Sequence, residues 1–167
     1  MKRNKLTVGY SATKHFDEID YKLKITVRHA INAVIKFMGF NKNVFLSVTL
    51  CDNAYIKKLN KEFRGKDKHT DVLSFPMYDF YFGDEPLEDV DEQIPLGDIV
   101  ISLERCKEQA AEVGNPFLRE LAFLTVHSML HIFGYDHERG ESDEEAQIEA
   151  QKQIMSLLDI TENFDGE

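Results

Sequence analysis

Residues 117–133 read FLRELAFLTVHSMLHIF, and beyond Leu121 the segment is apolar almost all the way round a helix. A helix without a polar face has to be surrounded by protein, so this one belongs at the centre of the fold. Asn115 is placed to cap it, Pro116 to take its first position and Gly134 to end it. Two histidines interrupt the apolar surface. His127 and His131 are four apart and share one helical face. Imidazoles buried without partners are costly, so the pair requires something to bind.

The rest of the chain supplies elements to wrap this helix. Residues 6–10 can form a first strand. From Asp17 to Met38, the residues Ile19, Leu23, Val27, Ile31, Val34 and Met38 recur at helical spacing. VFLSVTL, 44–50, alternates as a half-buried strand does. Asp52 or Asn53 caps a helix that buries Ile56, Leu59 and Phe63 and ends near Gly65. DVLSF, 71–75, is the next strand, and strand–helix–strand in this order predicts a βαβ unit with parallel strands. Residues 77–96 carry no pattern and read as a long flexible or functional loop. GDIVI, 97–101, is a strand. Ser102 caps a helix over 103–113 with Leu103, Cys106, Ala110 and Val113 on one face. Ser142 with Glu145 makes a capping box for a last helix to about Leu158. The expected fold is α+β in a single domain, 1–167: a small mixed sheet, about five helices, and a central buried helix carrying two metal-ligand histidines.

Composition narrows the class. No stretch approaches the ~18 consecutive apolar residues of a membrane span. Lys2, Arg3 and Lys5 are not followed by an apolar segment, so no secretory signal is read and a cytoplasmic location is expected. Cys51 and Cys106 are isolated and read as buried, reduced thiols. With 30 acids against 20 bases the net charge is −10, which argues against a general nucleic-acid binder. The distribution is uneven. KKLNKEFRGKDK, 57–68, holds six bases (Lys57, Lys58, Lys61, Arg64, Lys66, Lys68) and two acids, whereas 79–98 holds eight acids and no base. Such a basic turn can be merely solvated. At the end of a helix before a strand it can also hold phosphates, with Arg64 forked onto one of them.

The histidine pair extends to a triad. HSMLHIFGYDH, 127–137, breaks at Gly134 and can return His137 as a third ligand. Three imidazoles and no thiol suit one zinc ion with an open fourth position, although other divalent metals also accept such a set. The spacing is the metal half of the metzincin protease signature, whose general base is a Glu directly after the first His. Here that position is Ser128, so a zinc peptidase lacks its base. Asp136 and Glu138 are better placed to orient histidines than to replace it.

Together these segments resemble the YbeY family of bacterial endoribonucleases. HSMLHIFGYDH is similar to its HGxLHLxGYDH motif, FRGKDKHTDVLSFP to its YRxKDKPTDVLSFP segment, and LGDIVIS, 96–102, to its GDI strand. The likeness runs from about 44 to 158 in the same order. Ser128 stands where the family usually has glycine, His69 where it has proline, and the acidic loop 79–95 is more extended. The resemblance implies an α+β metalloprotein, usually with zinc, acting in ribosomal RNA maturation and ribosome quality control. It implies His127, His131 and His137 as ligands and Arg64 as the important arginine. The substrate-binding lysines would be Lys57, Lys58, Lys61, Lys66 and Lys68. The expected partners are ribosomal RNA and the ribosome or its small subunit, with no membrane and no DNA. The rival readings are a zinc metallopeptidase and a non-enzymatic ribosome-assembly factor with structural zinc.

Overall fold

The computed structural model describes residues 4–80, 93–136 and 140–158. In chain order these form β1 (Leu6–Ala12), α1 (Tyr21–Phe37), β2 (Val44–Cys51), α2 (Asn53–Arg64), β3 (Val72–Pro76), β4 (Ile94–Ser102), α3 (Leu103–Val113), α4 (Phe117–Ile132) and α5 (Glu141–Leu158). The fold is α+β, with a four-stranded mixed sheet in the order β1-β2-β4-β3.

α4 takes the central place its composition demands. Ten of its residues are buried, from Glu120 to Ile132. It packs with α1 and α5 over one face of the sheet, where Leu23, Ile31, Leu46, Ile99, Leu121 and Met129 meet in the main core. β2 alternates buried and half-buried residues along Val44–Leu50, as its pattern predicts. The opposite face carries a smaller cluster of Cys51, Ile56, Leu73 and Val100, covered by α2 through Leu59. Cys51 and Cys106 are free and buried.

The expected βαβ unit does not form. β2 pairs in parallel with β1 and β4, and β3 pairs antiparallel with β4, so β2 and β3 are neither adjacent nor parallel. β3 is therefore an edge strand. Gly97 makes its pairing with β4 possible: a Cβ there would sit 2.6 Å from the Phe75 carbonyl oxygen, closer than any side chain tolerates.

Other boundaries shift for local reasons. α1 begins at Tyr21, because Asp20 rather than Asp17 accepts from the Leu23 N–H. Pro116, not Asn115, is the N-cap of α4 and bonds nothing through its side chain. Asn115 hydrogen-bonds Glu120 instead, and burial pushes the Glu120 carboxyl above its ordinary range against that bond. α5 begins at Glu141, so Ser142 lies inside the helix and does not cap it. β4 begins at Ile94, inside the segment read as loop, while residues 81–92 of that segment lie outside the described ones. Val113 is 62% exposed and Phe63 60%, so neither belongs to the core as expected.

Burial sets the chemistry of both thiols. It pushes Cys51 up to about 12 and raises Cys106 as well, and neighbouring carboxylates add to both shifts. The folded thiols stay neutral, so their contribution to stability is present below about pH 9, the ordinary thiol value. It is lost as pH climbs from there toward the raised folded values. Titration with a thiol reagent at about pH 8 is expected to label neither cysteine in the native protein and both after unfolding. A fast-reacting thiol in the folded state would contradict this burial.

Candidate active site

A cleft of about 840 Å³ runs along β3, lined by Arg64, Lys66, Lys68, Thr70–Phe75, His127 and His131. Period-two geometry gives β3 two working faces. Ser74 faces α4, where its hydroxyl donates to Ser128 Oγ at 2.9 Å. Leu73 and Phe75 face the α2 side. The open edge of the sheet thus has the histidines on one flank and the end of α2 on the other.

His127 and His131 are half-buried on α4, with ring centroids 5.6 Å apart. Two imidazoles at that separation can turn toward one ion. α5 contacts His127 from behind. Gln151 Oε1 lies 3.4 Å and Gln147 Nε2 3.3 Å from its Nδ1. Both glutamines are buried, and among the described residues Gln147 Oε1 and Gln151 Nε2 have no hydrogen-bond partner. Donation from Nδ1–H to Gln151 Oε1 would leave Nε2 as the ligating nitrogen, the arrangement of a metal-bound histidine. Two imidazoles side by side with no thiol among the cleft residues fit a catalytic zinc.

Beyond Ile132 the helix ends, and Gly134 adopts φ 103. The turn brings Asp136 back to line the cleft beside both histidines. His137 and Glu138 follow and lie outside the described residues. Among the described residues no three His, Cys, Asp or Glu side chains group as a metal site.

Arg64 is the last residue of α2, exposed on the other flank. The loop after it is pinned by Asn60, which is 1% exposed. Its Nδ2 donates to Lys68 O at 3.0 Å, and its carbonyl accepts from Lys66 N. Asp71 closes the loop, accepting from Val72 N and from Gln109 Nε2. The structure divides the five lysines. Lys66 and Lys68 line the cleft together with His69, whereas Lys57, Lys58 and Lys61 do not. Lys57 and Lys61 share a helical face with Arg64 and form a basic approach to it.

Several contributors escaped sequence reasoning. Gln147 and Gln151 left a faint signal: two polar residues four apart among the core-facing positions Ala150, Ile154 and Met155. Asn60 left none beyond a polar residue on the buried side of α2. Ser128, which the sequence marks as a missing base and a departure from the family's glycine, is a strut to β3.

The family model for endoribonuclease YbeY matches residues 10–159. The chain belongs to the YbeY family. Endoribonuclease YbeY of Thermoanaerobacter sp. (strain X514) is 46% identical over 151 residues, covering 86% of this chain and 93% of the relative. That of Clostridioides difficile (strain 630) is 40% identical over 144 residues, covering 86% and 91%. The solution structure of TM1509 from Thermotoga maritima superposes with a TM-score of 0.56 at 28% identity, covering 90% of this chain and 87% of that one. YbeY membership makes this chain an enzyme of a hydrolytic RNA-cleaving family.

Proposed function

We propose that this chain is a zinc-dependent endoribonuclease that cuts single-stranded RNA in the cleft along β3. We infer further that it acts in ribosomal RNA processing and ribosome quality control. One observation carries the reading: an arginine and a histidine pair, far apart in sequence, line the same cleft.

His127, His131 and His137 would hold the ion. When bound there, zinc supplies Lewis acidity, polarising a phosphoryl oxygen and bringing the pKa of water toward about 7. Gln151, accepting from His127 Nδ1–H, would keep His127 in the ligating tautomer. Arg64 presents a planar fork to the scissile phosphate and stabilises the charge that builds on it. Lys66 and Lys68 hold the strand on the Arg64 side. A histidine set accepts other divalent ions, so zinc is the expected occupant by donor chemistry rather than by exclusion.

Two observations weigh against the rivals. A metzincin-type peptidase needs a carboxylate at position 128. Ser128 is fully buried and bonded to Ser74, so no side chain there reaches a substrate. A structural zinc is enclosed by four protein ligands, whereas His127 and His131 open onto a cleft large enough for substrate. The net charge of −10 opposes capture of RNA at random, so the ribosome or its small subunit is proposed to present the strand. No described helix is long and apolar enough to cross a membrane, and a cytoplasmic site of action fits a ribosomal substrate.

Purified protein should cut a single-stranded RNA oligomer and leave casein intact; the reverse would restore the peptidase reading. Binding should also fall with salt, by about 0.7 in the log–log slope for each phosphate contact. Lys66→Gln with Lys68→Gln should flatten that slope more than Lys57→Gln, Lys58→Gln and Lys61→Gln together. A larger effect from the α2 triple would route the RNA along α2 instead of the cleft.

A further inference from the structure

Phe63 is a large apolar side chain that core packing does not explain. α2 buries Ile56 and Asn60, yet one turn later Phe63 stands 60% exposed. It is nonetheless held. Its ring meets Phe75 edge to face, with centroids 5.3 Å apart and planes at 71°. Phe75 is itself anchored on the cluster of Cys51, Ile56, Leu73 and Val100. Both rings line the cleft, and Phe63 immediately precedes Arg64. Tyr21, Phe123 and Leu157 are exposed too, but Phe63 differs in lining the cleft with its ring held by Phe75.

The surroundings select the ligand. Arg64, Lys66 and Lys68 line the same cleft, which favours a polyanion over an apolar peptide. A fixed aromatic face beside cationic side chains is the common device for single-stranded nucleic acid, since every base offers a π-face whatever its identity. Bases stacked inside a duplex offer none without being unpaired.

We propose that Phe63, braced by Phe75, stacks an unpaired nucleobase of the RNA next to the nucleotide whose phosphate Arg64 holds. The assignment rests on the reading of the cleft as an RNA site. It makes Phe63 a substrate-positioning residue that prefers unpaired over paired RNA without reading sequence.

The chain contains no tryptophan, so Phe63→Trp introduces a single indole reporter. Short single-stranded RNAs, intact or with an abasic ribose at successive positions, would be titrated against wild type, Phe63→Ala and Phe63→Trp. Phe63→Ala should weaken binding of intact RNA by ~10-fold with an unchanged salt slope, because no phosphate contact is lost. One abasic position should cost wild type a similar factor and cost Phe63→Ala almost nothing. The indole of Phe63→Trp should be quenched by RNA, with affinity kept. Wild-type affinity in Phe63→Ala, or an unquenched indole on bound RNA, overturns the platform while leaving the RNA cleft standing. Absence of RNA binding by wild type overturns the platform together with the reading beneath it.

Discussion

Arg64→Ala is expected to cleave RNA ~10²–10³ times more slowly than wild type while keeping full metal content and a normal fold. The size follows from the task. Removing one preorganised donor from a charge that develops in the transition state costs that much, whereas removing a ground-state contact costs less. The specificity follows from the position. Arg64 closes α2 on an exposed surface, and a guanidinium ligates no metal. Circular dichroism and metal analysis should therefore match wild type. Arg64→Lys should recover only part of the rate, because an ammonium keeps the charge and loses the two-pronged geometry. If the basic turn were only solvated, Arg64→Ala would cut at the wild-type rate, and the assignment would end there.

His131→Ala should lose both zinc and cleavage, and His127→Ala and His137→Ala should do the same, since two imidazoles retain the ion weakly. The effect is readable without any substrate. A ligand that binds only the folded state stabilises it by about 2.7 kcal/mol at a hundredfold excess over its dissociation constant. Added zinc should raise the melting temperature of the wild-type apoprotein and leave His131→Ala unmoved. His131→Ala is the cleanest of the three, because His127→Ala also strips the partner from Gln147 and Gln151. Stoichiometric zinc in His137→Ala would remove that residue from the ligand set.

The fold was legible where signals are local. The apolar run of α4 announced a buried helix, and the alternation in 44–50 announced a half-buried strand. Sheet order was not legible, because pairing is decided by distant segments. DVLSF follows a strand and a helix, which suggests a parallel crossover. Its actual partner is β4, which the chain supplies only afterwards and which Gly97 lets approach closely. Phe63 was misread for a similar reason. Helical spacing aligns it with Ile56, but the last turn of α2 reaches the sheet edge, where the buried side of the helix becomes the wall of the cleft. The motif residues His127, His131 and Arg64 were visible as chemistry, and their meeting in one cleft was not. The lysine run looked uniform in sequence, yet only its last two members line that cleft. Gln147 and Gln151 depend on α5 docking against α4, a contact that periodicity does not carry.

The central claim is that the histidine end of this cleft holds a metal on which RNA cleavage depends. Its most direct test combines metal analysis with cleavage of a single-stranded RNA oligomer by the purified chain, before chelation, after it and after zinc is returned. The account predicts about one zinc ion per chain, loss of cleavage on chelation and recovery with added zinc, with His131→Ala neither binding nor cutting. Cleavage at full rate by metal-free protein, or by His131→Ala, would contradict it.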